Sequence, residues 1–331
     1  MRRSLFHFVA AVSMAAAGMV SAVQAAVVSF GSGGNTFNME FVTIGNPGNV
    51  ADTTGSPNPA GAVGYTYDIG KFEVSEDMIT KYNANFGTAN SLAITKDSRG
   101  TNKPATSVSW NEAARFVNWL NTSTGGTAAY KFADGSGVND NIALWDASDT
   151  LDYDASNRYR SKRATYVLPS YNEWYKAAYY NPNDNTYYDF PNGSNTAPTA
   201  VASGTAANTA VYNQDFFQAL ADVDKAGGLS PYGVMGLGGN VWEWEESSFD
   251  LANSSGSSSR GIRGGSWLSL SHSLSSSSRS YSFPSYEVSN IGFRVASLSS
   301  SAPPAVPEPS MMVIGTLFGL GGLVAKRRMK K

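Results

Sequence analysis

The chain has 331 residues, a formal net charge of −2 and only 15% charged residues, against ~25% in an ordinary soluble protein. That balance argues against nucleic acid, whose phosphates demand concentrated Lys and Arg. The absence of cysteine excludes disulfides, thiolate metal sites, Fe–S clusters and cysteine nucleophiles, and the two histidines, His7 and His272, are too few for a His-rich metal centre.

The first element is an address. Arg2 and Arg3 precede an uncharged apolar run from about Leu5 to Val20, and Val23-Gln24-Ala25 places small residues at positions −3 and −1 of a signal-peptidase site. Residues 1–25 read as a secretory signal peptide, cleaved after Ala25. One domain follows, 26–298, with no tandem repeat and no long charge run. Phe37, Met39, Phe41, Val42 and Ile44 predict a strand among Gly/Asn/Pro-rich loops. Tyr65–Val74 predicts a strand leading into a helix, with Ser75 as N-cap and Met78, Ile79 and Tyr82 on one face.

Two further helices are marked by capping boxes. In Ser109-Trp110-Asn111-Glu112 the hydroxyl can accept the third helical N–H while the carboxylate reaches back. Ala113, Phe116, Val117 and Leu120 then recur at the spacing of a buried face. Ser170 to Glu173 repeats the device, and Asn181-Pro182 ends that run. Trp110, Trp119, Trp174, Tyr175 and Tyr179 are expected in the core rather than on a sugar-binding surface. Later, Val241–Trp244 alternates like a strand. Gly238, Gly239, Gly264 and Gly265 permit positive φ and tight turns. Arg263 and Arg294 are candidates to pair with Glu243 or Glu245, which share one face of a strand while Glu246 faces the other way.

Ser299–Pro309 is a Ser/Pro/Ala linker carrying Pro307-Glu308-Pro309, and 299–310 separates the domain from its tail. Met311–Ala325 is uncharged for 15 residues. As a helix at ~1.5 Å per residue it covers roughly 22 Å, short of a ~30 Å hydrocarbon core. Lys326, Arg327, Arg328, Lys330 and Lys331 form a basic stop that stays cytoplasmic. Pro-Glu-Pro, a short apolar helix and a basic tail (311–331) resemble the PEP-CTERM sorting signal of Gram-negative bacteria. The resemblance implies transient inner-membrane anchoring through 311–325, removal of the tail by an exosortase, and delivery to the cell surface or extracellular matrix. The alternative is a permanent C-terminal transmembrane anchor.

Within the domain, Gly239-Asn-Val-Trp-Glu-Trp244, Arg263-Gly-Gly-Ser266 and Ile291-Gly-Phe-Arg294 occur in that order. They follow Phe72-Glu-Val-Ser75, Val108-Ser-Trp-Asn-Glu-Ala113 and Leu168-Pro-Ser-Tyr-Asn-Glu-Trp174. Together these blocks resemble the formylglycine-generating enzyme (sulfatase-modifying factor, FGE-sulfatase) family over essentially the whole domain. The resemblance implies an α+β fold, an FGE-like variant of the C-type lectin fold with short sheets, three main helices and much irregular loop.

The same resemblance weighs against the family's oxidase chemistry. Its enzymes hold copper with two cysteines just after Arg-Gly-Gly-Ser, and those positions fall here at about Ser269 and Leu274. Neither side chain offers the soft sulfur that Cu(I) selects, so no copper and no catalytic residue are expected. The stretch Ser269–Ser282 reads as a flexible Ser-rich loop, too poor a scaffold for a Ser–His site at His272. Glu243, Glu245, Glu246 and Asp250 could supply a glycosidase carboxylate pair, but a structural role is the simpler reading.

Calcium, a taker of hard oxygen ligands, is the ion the resemblance implies. One family site maps to the carbonyls of Gly239 and Val241 and the carboxylate of Glu243, with Gly236 where a further side-chain ligand would stand. The second maps to Asn208, Thr209, Asp215 and Phe217. Asp134–Asn141 resembles a calcium loop in composition alone. The expected protein is non-catalytic, exported and surface- or matrix-bound, handled by signal peptidase and exosortase, and binds a glycan or surface protein. It engages no nucleic acid, and meets the membrane only through its sorting helix. The alternatives are an altered oxidase acting on exported proteins and a purely structural component of the exopolysaccharide matrix.

Overall fold

The computed structural model describes residues 26–133 and 140–298. The expected signal peptide, most of the Asp134–Asn141 stretch, the linker and the expected sorting tail lie outside these residues. No helix among the described residues is long and apolar enough to cross a membrane.

In chain order the principal strands are β1 (Ala26–Phe30), β2 (Phe37–Ile44), β3 (Tyr67–Gly70), β4 (Tyr166–Val167) and β5 (Trp242–Ser248). β6 (Arg260–Arg263), β7 (Ser280–Ser282), β8 (Ile291–Gly292) and β9 (Ala296–Ser297) complete them. The α-helices are α1 (Glu76–Tyr82), α2 (Trp110–Ser123) and α3 (Tyr171–Tyr179). Short two-residue ladders and long loops make up much of the rest, so the fold is α+β with few helices.

One sheet has the order β1-β2-β3-β9-β4. Its β1 and β2 form an antiparallel pair with Ala26 opposite Phe41 and Phe30 opposite Phe37. The late strand β9 lies between β3 and β4, with Ala296 opposite Ile69 on one side and Val167 on the other. The second sheet has the order β7-β6-β5-β8, and the register of β5 on β6 shifts between Trp244 and Ser248.

The helices start as the sequence predicts. Ser75 Oγ accepts the Met78 N–H at 3.4 Å. Both capping boxes close: Ser109 N–H donates to Glu112 at 2.7 Å, and Ser170 N–H to Glu173 at 2.7 Å. Helix α3 ends at Tyr179, just before Asn181-Pro182, because Tyr180–Asn181 turns back to pair with Thr186–Tyr187. The five helix aromatics are buried. Tyr82 meets Phe116 and Trp119 edge-on at 5.7 and 5.5 Å, and Phe37 of β2 stacks on Phe116 at 6.2 Å. Two buried indoles at this junction find acceptors: Trp110 Nε1 donates to the Glu245 carbonyl and Trp244 Nε1 to the Val108 carbonyl. These bonds clamp the start of α2 onto β5 and remove the cost of burying an unpaired N–H.

The Ser-rich stretch is not the flexible loop expected. Ser276 N–H donates to the Asp189 carbonyl and its own carbonyl accepts from Ser56 N–H, while Arg263 Nη1 donates to the Ser278 carbonyl at 2.9 Å. Ser271–Leu274 forms a single helical turn and Ser280–Ser282 pairs with β6. Small hydroxylated side chains let the backbone run close to the domain and be bonded through its carbonyls.

Candidate functional site

Strand β5 carries three glutamates, and all three are buried. The shifted register brings Glu246 inward as well, against the expectation that it faces away from its neighbours. A buried carboxylate needs a cation or several donors, and each glutamate has them. Glu243 receives two parallel bonds from Arg294, 2.6 Å from Nε and 2.5 Å from Nη2, and a third from Trp174 Nε1 at 2.7 Å. Arg294 also donates to the Gly70 and Met235 carbonyls at 2.8 and 2.9 Å. Burial works against its charge, but the facing Glu243 carboxylate outweighs it and raises its pKa.

Glu245 sits between Arg263 Nε at 2.7 Å and Arg279 Nη2 at 2.7 Å. Glu246 accepts from Tyr130 at 3.0 Å and Asn157 at 2.6 Å, with Arg160 3.6 Å away. Burial, opposed by Arg160, raises its pKa. Asp250 is taken by Ser248 Oγ at 2.6 Å. These carboxylates are tied inside the fold, and none stands as a free pair across a cleft.

One buried acid escaped the sequence reading. Glu73, in the Phe72-Glu-Val-Ser75 block, is 1% exposed. Its Oε1 accepts from Asn240 Nδ2 at 2.9 Å and its Oε2 has no partner among the described residues. Burial pushes its pKa up to about 7, with Arg294 opposing and Glu243 adding to the rise. A Cβ at Gly236 would lie 2.6 Å from Glu73 Oε1, and the backbone there has φ +78°. Position 236 therefore has room for glycine alone, which explains why no ligand side chain stands there. An acidic residue inside an otherwise apolar strand block was the available signal for Glu73.

The donors expected for calcium do not fit this arrangement. Both Glu243 oxygens are committed, and a guanidinium already supplies the compensating charge. Gly239 donates its N–H to the Gly264 carbonyl at 2.8 Å, and the Val241 side chain packs in an apolar cluster with Val211, Leu220 and Trp267. The second set is split. The Asn208 carbonyl accepts from Thr199 N–H and the Thr209 carbonyl from Gly228 N–H, in a short ladder. Asp215 and Phe217 belong to a turn closed by Gln218 N–H, where Phe217 is 96% exposed beside Phe216. Among the described residues no group of three or more His, Asp or Glu is placed to hold a metal ion.

The two residues expected at about the family's cysteine positions lie near one another. Ser269 and Leu274 both border Gly265, whose φ is +76°: a Cβ there would lie 3.3 Å from Ser269 Cβ and 3.0 Å from Leu274 Cδ1. Ser269 Oγ accepts the Ser266 N–H at 2.9 Å, closing the turn, and its carbonyl accepts from Asn213 N–H. Leu274 is fully buried with Ala210 and Tyr212, and Tyr179 donates to its carbonyl at 3.1 Å. His272 is exposed and donates to no carboxylate among the described residues. Neither a hydroxyl spent on its own turn nor an isobutyl group in a core is the soft sulfur ligand that Cu(I) selects.

A curated relative, inactive C-alpha-formylglycine-generating enzyme 2 of Mus musculus, is 25% identical over 199 residues, covering 59% of this chain and 49% of the relative. The chain thus spans about half the length of that relative. Among solved structures, Treponema denticola variable protein 1 shares the fold with a TM-score of 0.54 at 19% identity, over 82% of this chain and 98% of that one. CarF does so with a TM-score of 0.56 at 21% identity, over 78% and 98%. Residues 33–298 match the model of the sulfatase-modifying factor enzyme 1-like domain, and the chain belongs to that FGE-sulfatase family.

Proposed function

We propose that this chain is a non-catalytic member of its family, exported and retained at the cell surface or in the matrix, where its domain binds a glycan or another extracellular partner. The observation that carries the reading is the filling of the two cysteine positions: Ser269 closes a turn and Leu274 fills a core. Around them the scaffold is intact, since Arg263 and Arg294 of the family blocks still hold the buried glutamates. The architecture of few helices and short sheets supports the lectin-like variant of the fold, and the two terminal signals support export with exosortase processing.

The test offers the purified protein copper, a reductant and a Cys-containing sulfatase peptide. No formylglycine aldehyde above background is expected. Turnover that survives repurification in the presence of chelator overturns the reading in favour of an altered oxidase. Retention of at least one polysaccharide on an array separates the binding protein from a purely structural matrix component.

A further inference from the structure

We infer that the polar cleft between Tyr65, the loop 154–162 and the first residues of α3 is a binding site for a neutral saccharide. The inference rests on the reading of the protein as a glycan binder and locates that binding. The cleft has a volume of about 400 Å³, inside the ~300–1,000 Å³ of small-molecule sites. It lies away from Ser269 and Leu274, neither of which lines it.

Its floor is a closed network. Arg160 donates to both oxygens of Glu173, at 3.1 and 2.9 Å, and to the Tyr65 hydroxyl at 3.0 Å; Tyr65 in turn donates to Glu173 at 2.6 Å. At the start of α3 the N–H groups of Ser170, Tyr171 and Glu173 are taken by the Glu173, Ser247 and Ser170 side chains. What the network does is pin a phenol. Tyr65 has its hydroxyl tied inside, yet 44% of the residue remains exposed. An aromatic face held in this way loses little conformational freedom when an apolar sugar face stacks on it.

Around that face stand polar side chains that are each fixed by one atom and open at the other. Asp154 uses Oδ1 for the Ser156 N–H and hydroxyl, at 2.8 and 2.7 Å, which leaves Oδ2. Asn172 uses Oδ1 for the Gly61 N–H at 2.7 Å, and Asn253 uses Oδ1 for the Ser248 N–H at 2.9 Å. Because backbone N–H groups fix both amide orientations, each Nδ2 is a directed donor. One carboxylate acceptor and two amide donors suit sugar hydroxyls, which donate and accept at the same atom. The charges on the rim, Asp154 and Lys162, cancel, and Arg160 below them is answered by Glu173. A neutral sugar therefore matches the cleft better than a uronic or sulfated one.

The test titrates the purified protein with maltohexaose, cellohexaose and mannohexaose, with hyaluronan oligosaccharide as the anionic counterpart. Ser156→Trp blocks the cleft without touching the floor network, and Tyr65→Ala removes the stacking face. Binding of at least one neutral probe is expected, weakened about tenfold or more by each variant, with the melting temperature of Ser156→Trp at the wild-type value. Equal affinity in wild type and a folded Ser156→Trp overturns the cleft and leaves glycan binding elsewhere standing. Preference for hyaluronan overturns the neutral class. No binding of any probe by the wild type, here or on the array, overturns the cleft and the glycan reading together.

Discussion

Arg294 and Glu243, 51 residues apart in sequence, hold each other through a two-bond fork at full burial. The fork also ties β5 to the carbonyls of Gly70 and Met235, so it joins the two sheets through one guanidinium.

Removing the arginine leaves Glu243 and Glu73 as neighbouring buried carboxylates with no cation. Arg294→Met is expected to cost about 3–5 kcal/mol, the usual penalty for an orphaned buried charge. Glu243→Gln is expected to cost less, because the Trp174 bond can persist. Urea melts with calcium and with chelator should give the same losses. A stabilisation of the wild type by calcium that disappears in Glu243→Gln would restore the ion-site reading.

Two carboxyls predict the pH profile. Burial pushes Glu112 up to about 7 from an ordinary 4.5, with Glu287 adding to the rise and Ser109 opposing it; Glu73 also stands at about 7. Each is raised in the folded state, so the folded protein holds the proton longer. The associated stability is fully present below about 4.5 and is lost as pH rises through about 7, with a slope of up to ~1.4 kcal/mol per pH unit for each group. Glu112→Gln keeps a capping-box residue and removes one titration. Its stability curve from pH 4.5 to 8 should be flatter than that of the wild type, and a parallel curve would refute the assignment.

At Ser269 and Leu274 the expectation concerns packing. Leu274→Ala should cost about 2–5 kcal/mol, since it empties a filled site. Ser269→Ala should cost about 1 kcal/mol for the lost turn bond. Denaturant midpoints check both values, and a neutral Leu274→Ala would contradict the core role.

Processing has its own readout. Intact-mass measurement on surface material should find a chain that begins near Ala26 and lacks Met311–Lys331. A stable outer-membrane species still carrying Lys326–Lys331 would rule out exosortase removal.

The sequence disclosed what is local. Ser109 with Glu112 and Ser170 with Glu173 are three residues apart, so their capping geometry is written in the spacing. The helix aromatics fell in the core for the same reason of period. What escaped was set by distant partners. Nothing local says that Arg294 rather than Arg263 takes Glu243, that Glu246 turns inward at a shifted register, or that Glu73 lies under Gly236. The Ser-rich stretch misled because its order comes from backbone carbonyls held by Arg263 and others, to which side-chain composition is blind.

The placement of β9 between β3 and β4 has a consequence for synthesis. Ile69 and Val167 are made long before Ala296, and each must wait for it with an unpaired edge. Arg294, two residues earlier, arrives at nearly the same moment to neutralise Glu243. A ribosome that has not yet delivered residue 297 therefore carries a chain whose first sheet is split and whose second holds an uncompensated charge. Any stop codon ahead of that strand yields a chain with exposed edges open to aggregation.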